Sequence, residues 1–109
     1  MIIWKGKNMT KSVDYHEYLI ESLKDPKEAA GYLNAALEDD DIDGFLEALR
    51  NVVEANGGMT KLSEKTTKSR NSLYKTVSRE GNPYLRNTND ILHALGFQLA
   101  VTRDSTHLQ

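Results

Sequence analysis

The stretch Met59 to Arg79 carries the side chains whose types and spacing could do chemistry. Arg70, Asn71, Ser72, Tyr74 and Lys75 form a polar surface on what reads as a short helix. These side chains can read base edges. Arginine bonds a guanine in two places and asparagine an adenine. Tyr74 can pack on a sugar or a thymine methyl, or support the helix from a half-buried position. Lys61, Lys65, Lys68 and Arg79, with Thr60, are placed to meet phosphates. Contacts of that kind make affinity depend on salt, because each neutralised phosphate releases counterions.

Two elements must position these groups. Leu62 is apolar on a first short helix, and Leu73 and Val77 lie four apart on a second. Thr60 and Ser69 are the hydroxyl residues expected at the two helix starts, each able to accept a bond from an orphan backbone N–H. Between them Thr66-Thr67-Lys68 is too short for anything but a sharp corner. This is a helix-turn-helix pattern. A purely structural hairpin would look similar. The Leu62-to-Leu73 spacing, the local positive charge and the outward Arg70, Asn71 and Lys75 favour double-stranded DNA as the partner.

Catalysis finds no footing. The chain has no cysteine, so thiol nucleophiles, disulfides and zinc–thiolate sites are excluded. His16, His93 and His107 are scattered without metal-ligand spacing. No serine sits in a nucleophile elbow and no glycine-rich phosphate loop is present. Asp39-x-Asp41-x-Asp43-Gly44 opens like a calcium loop, yet the twelfth position, where the metal needs a bidentate Glu, is Arg50. We expect no enzyme, no metal and no cofactor.

Charge divides the 109 residues into halves. Between Asp14 and Asn56 twelve acids face only Lys24, Lys27 and Arg50. Between Gly57 and Arg86 seven bases face only Glu64 and Glu80. The division suggests two different partners. The densest acids, Glu38, Asp39, Asp40, Asp41 and Asp43, could meet a basic protein surface. A solvated helix face with acids favouring a helix dipole accounts for them equally well. No apolar run approaches the length of a membrane span, and the first eight residues lack a signal-peptide layout, so a cytoplasmic protein is expected.

Taken in order, residues 1–12 read as a tail and Val13 to Lys24 as a short amphipathic segment with Tyr15, Tyr18, Leu19 and Leu23. Asp25-Pro26-Lys27-Glu28 opens a helix by cap, first-turn proline and capping box. It runs to about Glu38 with Ala29, Leu33, Ala36 and Leu37 on one face. The next helix has the clearest period, through Ile42, Phe45, Leu46, Leu49, Val52 and Val53. Asn56-Gly57-Gly58 stops it. After the turn at Gly81-Asn82-Pro83, Thr88 is expected to cap a last helix ending at Gly96. Phe97 to Arg103 alternates as one strand, which needs a partner for its edges. The simplest partner is the same strand of a second subunit. Residues 104–109 read as a tail.

Leu62-Ser63-x-x-x-Thr67-x-Ser69-x-x-x-Leu73 resembles the signature of the Cro and phage-repressor helix-turn-helix superfamily, with Ser63 in place of the usual Ala and Thr67 in place of the usual Gly. The wider frame resembles the small addiction-module antidote proteins, HigA-like antitoxins often found in prophages. The stretches that carry it are Tyr32 to Asp39, Phe45 to Leu49, Gly57 to Leu62, Ser72 to Lys75, Gly81 to Pro83 and Leu95 to Leu99. The resemblance covers about Val13 to Arg103. It implies neutralisation of a small, basic RelE-like toxin and repression of the shared operon. It also implies that Ser69, Arg70, Asn71, Ser72 and Lys75 face the operator.

The expected fold is mostly α: a lambda-repressor-like bundle of five or six helices with one C-terminal strand, in a single domain over residues 13–103. We expect a homodimeric antitoxin and autorepressor. A phage-type regulator without a toxin partner, or a scaffold that uses only the acidic face, are the other readings.

Overall fold

The computed structural model describes residues 12–78 and 83–103. Six helices follow one another: α1 (Ser12–Ser22), α2 (Pro26–Glu38), α3 (Ile42–Ala55), α4 (Gly58–Thr66), α5 (Arg70–Thr76) and α6 (Leu85–Ala94). The tails 1–11 and 104–109, together with Arg79 and most of the Gly81-Asn82-Pro83 turn, lie outside the described residues.

Helix α3 is the centre of the packing. Phe45, Leu46, Ala48, Leu49, Val52, Val53 and Ala55 are all buried, as its period requires. Each large apolar side chain removed from water is worth about 1.5–3 kcal/mol, so this face dominates the stability of the chain. Helices α1, α2 and α4 pack directly on α3. The other two are carried by α4, which packs on both α5 and α6. The core continues through Leu62, Leu73, Val77, Ile91 and Leu92.

Local chemistry sets most of the boundaries. Asp25 caps α2 by accepting from the Lys27 N–H at 2.9 Å. The capping box is not closed, because the Asp25 N–H donates to the Ser22 carbonyl instead. Asp41 caps α3 by accepting from the Gly44 N–H at 2.9 Å. Asn56, Gly57 and Gly58 end α3 and turn directly into α4, with φ of 106° at Gly57 and 85° at Gly58. Both values favour glycine, which lacks the Cβ that would clash.

Four expectations are corrected. Thr60 does not start a helix: α4 begins at Gly58, and the two glycines rather than a hydroxyl form the corner. Thr88 does not cap α6, which begins at Leu85. It is buried in the fourth position and its hydroxyl donates back to the Tyr84 carbonyl at 3.4 Å. Threonine inside a helix can bond the carbonyl four residues back, so its type does not distinguish cap from interior. Several residues assigned to apolar faces point outward: Tyr15, Tyr18, Leu37 and Ile42 are exposed, because no neighbouring helix among the described residues covers them.

The fourth concerns Phe97 to Arg103. Among the described residues there is no strand. The α6 terminus is a Schellman motif. Gly96 has φ 94°, its N–H donates to His93, and the Phe97 N–H donates to Leu92 at 2.8 Å. Phe97 then packs against the core. Beyond it the segment has no hydrogen-bonded partner strand among the described residues, and a strand exists only through pairing.

Candidate nucleic-acid interface

The two short helices α4 and α5 meet at Thr67, Lys68 and Ser69. Thr67 takes φ 63°, the left-handed conformation that ends α4. Thr66 wraps the same corner. Its hydroxyl donates to the Leu62 carbonyl at 3.0 Å and accepts from the Lys68 N–H at 3.2 Å. Ser69 then caps α5, its Oγ accepting from the Ser72 N–H at 3.1 Å. Leu62 and Leu73 are buried where the two helices face the core.

The outer face of α5 carries the side chains read as base contacts. Arg70 and Tyr74, and Asn71 and Lys75, are neighbours one helical turn apart, and all four are exposed. Tyr74 is 54% exposed, so the structure places it outward rather than in a supporting half-buried position. Ser69 is exposed and Ser72 is half-buried, and both are engaged in the α5 backbone: Ser69 as cap, Ser72 through a carbonyl that accepts from the Thr76 hydroxyl.

Thr60, Lys61 and Lys65 are exposed on α4. Thr60 lies beside α5: its hydroxyl accepts from Arg70 Nη1 at 3.2 Å. The two helices thus present one continuous polar edge. Lys68 is different. Its amine sits 3.3 Å from the Asp90 carboxylate and donates to Asn87 Oδ1 at 3.2 Å. The only signal of these two α6 partners in the sequence is their polar type on a short amphipathic helix. Arg79 lies outside the described residues.

Between α5 and the start of α6 lies a surface cleft of about 390 Å³, lined by Ser72, Lys75, Thr76, Tyr84 and Asn87 among others. Beside the apolar ring of Pro83, its polar lining groups are hydroxyls, an amide, an amine and one phenol. Such groups bond phosphate oxygens and sugars without reading sequence. Tyr84, which lines it, and the neighbouring Leu85 are largely exposed and were not singled out by the sequence reading.

The acidic candidates sit elsewhere, at the corner joining α2 to α3. Glu38, Asp39, Asp40, Asp41 and Asp43 are all exposed. Two of them have structural employment: Asp39 ends α2 and Asp41 caps α3. Asp40 adopts φ 56° in the turn between them. Among the described residues no group of three or more His, Asp or Glu side chains is arranged to hold a metal ion. Nor is any helix among them long and apolar enough to cross a membrane.

A family model described as "Probable addiction module antidote protein" matches residues 9–103, which is most of the chain. The chain belongs to this antidote family. It is also similar to an uncharacterized protein of Haemophilus influenzae (strain Rd), with 33% identity over 81 residues, covering 74% of this chain and 82% of that one. No solved structure matches it.

Proposed function

We propose that this protein is the antitoxin of a type II toxin–antitoxin module. It neutralises a small, basic RelE-like toxin and represses its own operon by binding operator DNA. In this reading α4 and α5 are a helix-turn-helix and α5 is the recognition helix. Arg70, Asn71, Tyr74 and Lys75, with Ser69 and Ser72, read bases; Thr60, Lys61, Lys65, Lys68 and Arg79 hold phosphates. The observation that carries it is the shared edge of α4 and α5, where Arg70 and Thr60 meet at 3.2 Å while Leu62 and Leu73 of the same two helices are buried in the core.

One recognition helix of seven residues reads few bases. The protein therefore acts as a homodimer whose two copies of α5 address half-sites about 34–36 Å apart. The acids at the α2–α3 corner, remote in sequence from the DNA face, are the surface offered to the basic toxin. The protein works in the cytoplasm, without catalysis and without a cofactor.

The test is growth rescue. The small neighbouring open reading frame is expressed with and without this chain, and survivors are counted. Rescue by both the parent and the Arg70→Ala/Asn71→Ala variant, with operator binding lost only in the variant, supports two separable surfaces. A harmless neighbour, or one that kills regardless, replaces this reading with that of a phage-type regulator that has no toxin partner.

A further inference from the structure

We propose that residues 97–103 are the dimer interface: the extended segment of one protomer pairs antiparallel with the same segment of a second copy, about a two-fold axis at Ala100. The proposal rests on the homodimer reading above and names the surface that makes it.

The segment is launched in a defined direction. The Schellman motif at Gly96 turns the chain off α6, and Phe97, half-buried against the core, anchors its first residue. From residue 98 to residue 103 no backbone N–H or C=O has a hydrogen-bond partner among the described residues. The side chains alternate. Phe97, Leu99 and Val101 fall on one face, and Gln98, Ala100 and Thr102 on the other. Leu99 is 41% exposed and Val101 is 98% exposed. A proline, a bulge or an inward charge would protect such an edge, and the run from Phe97 to Thr102 contains no proline and no charged residue.

The second copy fits this edge better than an arbitrary strand does. With Ala100 on the axis, Leu99 of each protomer stands opposite Val101 of the other, and Gln98 opposite Thr102. Apolar meets apolar on one face and polar meets polar on the other, which is what stabilises cross-strand pairs. Arg103, the one charged residue of the run, stands opposite Phe97 rather than opposite another Arg103. No like charges are opposed, and a cation comes to an aromatic ring. This register uses all seven residues. A two-stranded ribbon alone is marginal in water. Here each end is held by a Phe97 already seated on its own domain. The contact is isologous, so it closes at two copies. Helix α6, from which the segment leaves, packs on α4.

Light scattering on the full chain at micromolar concentration gives the mass directly. The expected value is about twice the 12.3 kDa of one chain. Val101→Asp is expected to return a monomer with unchanged helical circular dichroism and melting, because the side chain contributes nothing to the single fold. It also weakens binding to a two-half-site operator about a hundredfold or more through lost avidity. The chain has no cysteine, so Ala100→Cys tests the register: a short thiol–thiol crosslinker joins two copies efficiently, while Leu85→Cys, exposed on α6, stays single. A monomeric parent protein overturns the proposal, as does a Val101→Asp protein that stays dimeric. A dimer that Val101→Asp breaks but Ala100→Cys fails to crosslink overturns the register. Growth rescue reads a different surface, so its failure and the failure of this interface are distinguished.

Discussion

The Lys68 amine lies 3.3 Å from the Asp90 carboxylate, so the corner between α4 and α5 is tied to α6. Sequence reasoning places Lys68 on a phosphate; the structure places it, at 23% side-chain exposure, in an ion pair. Asp90→Asn separates the two roles. The pair is partly solvated, so its loss is expected to lower stability by no more than about 1 kcal/mol. If the released amine reaches DNA, operator binding tightens and its salt dependence steepens by about one phosphate contact. Titrations at several salt concentrations, with urea unfolding alongside, measure both. An unchanged salt slope makes Lys68 a structural tie.

Arg70 and Asn71 are exposed at the start of α5, and Arg70 is steered by the Thr60 hydroxyl at 3.2 Å. Replacing either with alanine is expected to weaken operator binding by about 1–3 kcal/mol. Away from the core such changes alter stability by about 0.5 kcal/mol or less. Thr60→Val keeps the shape but removes the acceptor, and is expected to produce a smaller loss in the same direction. Mobility-shift titration against the operator, with thermal melting as the control, checks the set.

Thr67 occupies a left-handed position, φ 63°, where the resemblance calls for glycine. A non-glycine residue there costs about 1–3 kcal/mol. The greater freedom of glycine in the unfolded chain returns about 0.5–1 kcal/mol of that. Thr67→Gly is therefore expected to stabilise the protein by roughly 1 kcal/mol, read as a higher urea midpoint with an unchanged slope. A lower midpoint would contradict the strain at this corner.

Leu49 is 0% exposed at the middle of α3, the helix on which α1, α2 and α4 all pack. Leu49→Ala is expected to cost about 3 kcal/mol through lost burial and the cavity left behind. Loss should appear in one transition, because both charged halves share this core. Two separate transitions in circular dichroism and tyrosine absorbance would show that they do not.

Asp41 serves two readings at once, as the cap of α3 and as part of the acidic surface. Asp41→Asn preserves the cap, since asparagine is an equally good acceptor, and removes the charge. Asp41→Ala removes both and is expected to cost about 1 kcal/mol. A protein with the asparagine that melts normally but rescues growth less well assigns the charge to the toxin. Equal rescue leaves Asp41 as a helix cap alone.

Much of this chain was legible before the structure. The burial of most of α3, the caps at Asp25 and Ser69 and the glycine stop after Asn56 depend on neighbours within a few helical turns, and the acidic and basic halves on composition alone. Sequence alone determined them, because spacing and side-chain type act locally. Other features needed the tertiary structure. Tyr15, Tyr18, Leu37 and Ile42 are apolar at helical spacing yet exposed, since burial depends on which neighbouring helix reaches them. Thr88 is an interior residue rather than a cap because α6 starts three residues earlier, where Tyr84 enters it without a side-chain bond. The tie from Lys68 to Asp90 and the bond from Arg70 to Thr60 join residues far apart in the chain. No local pattern encodes them, because the packing of α4 against α5 and α6 alone decides which polar groups come within bonding distance.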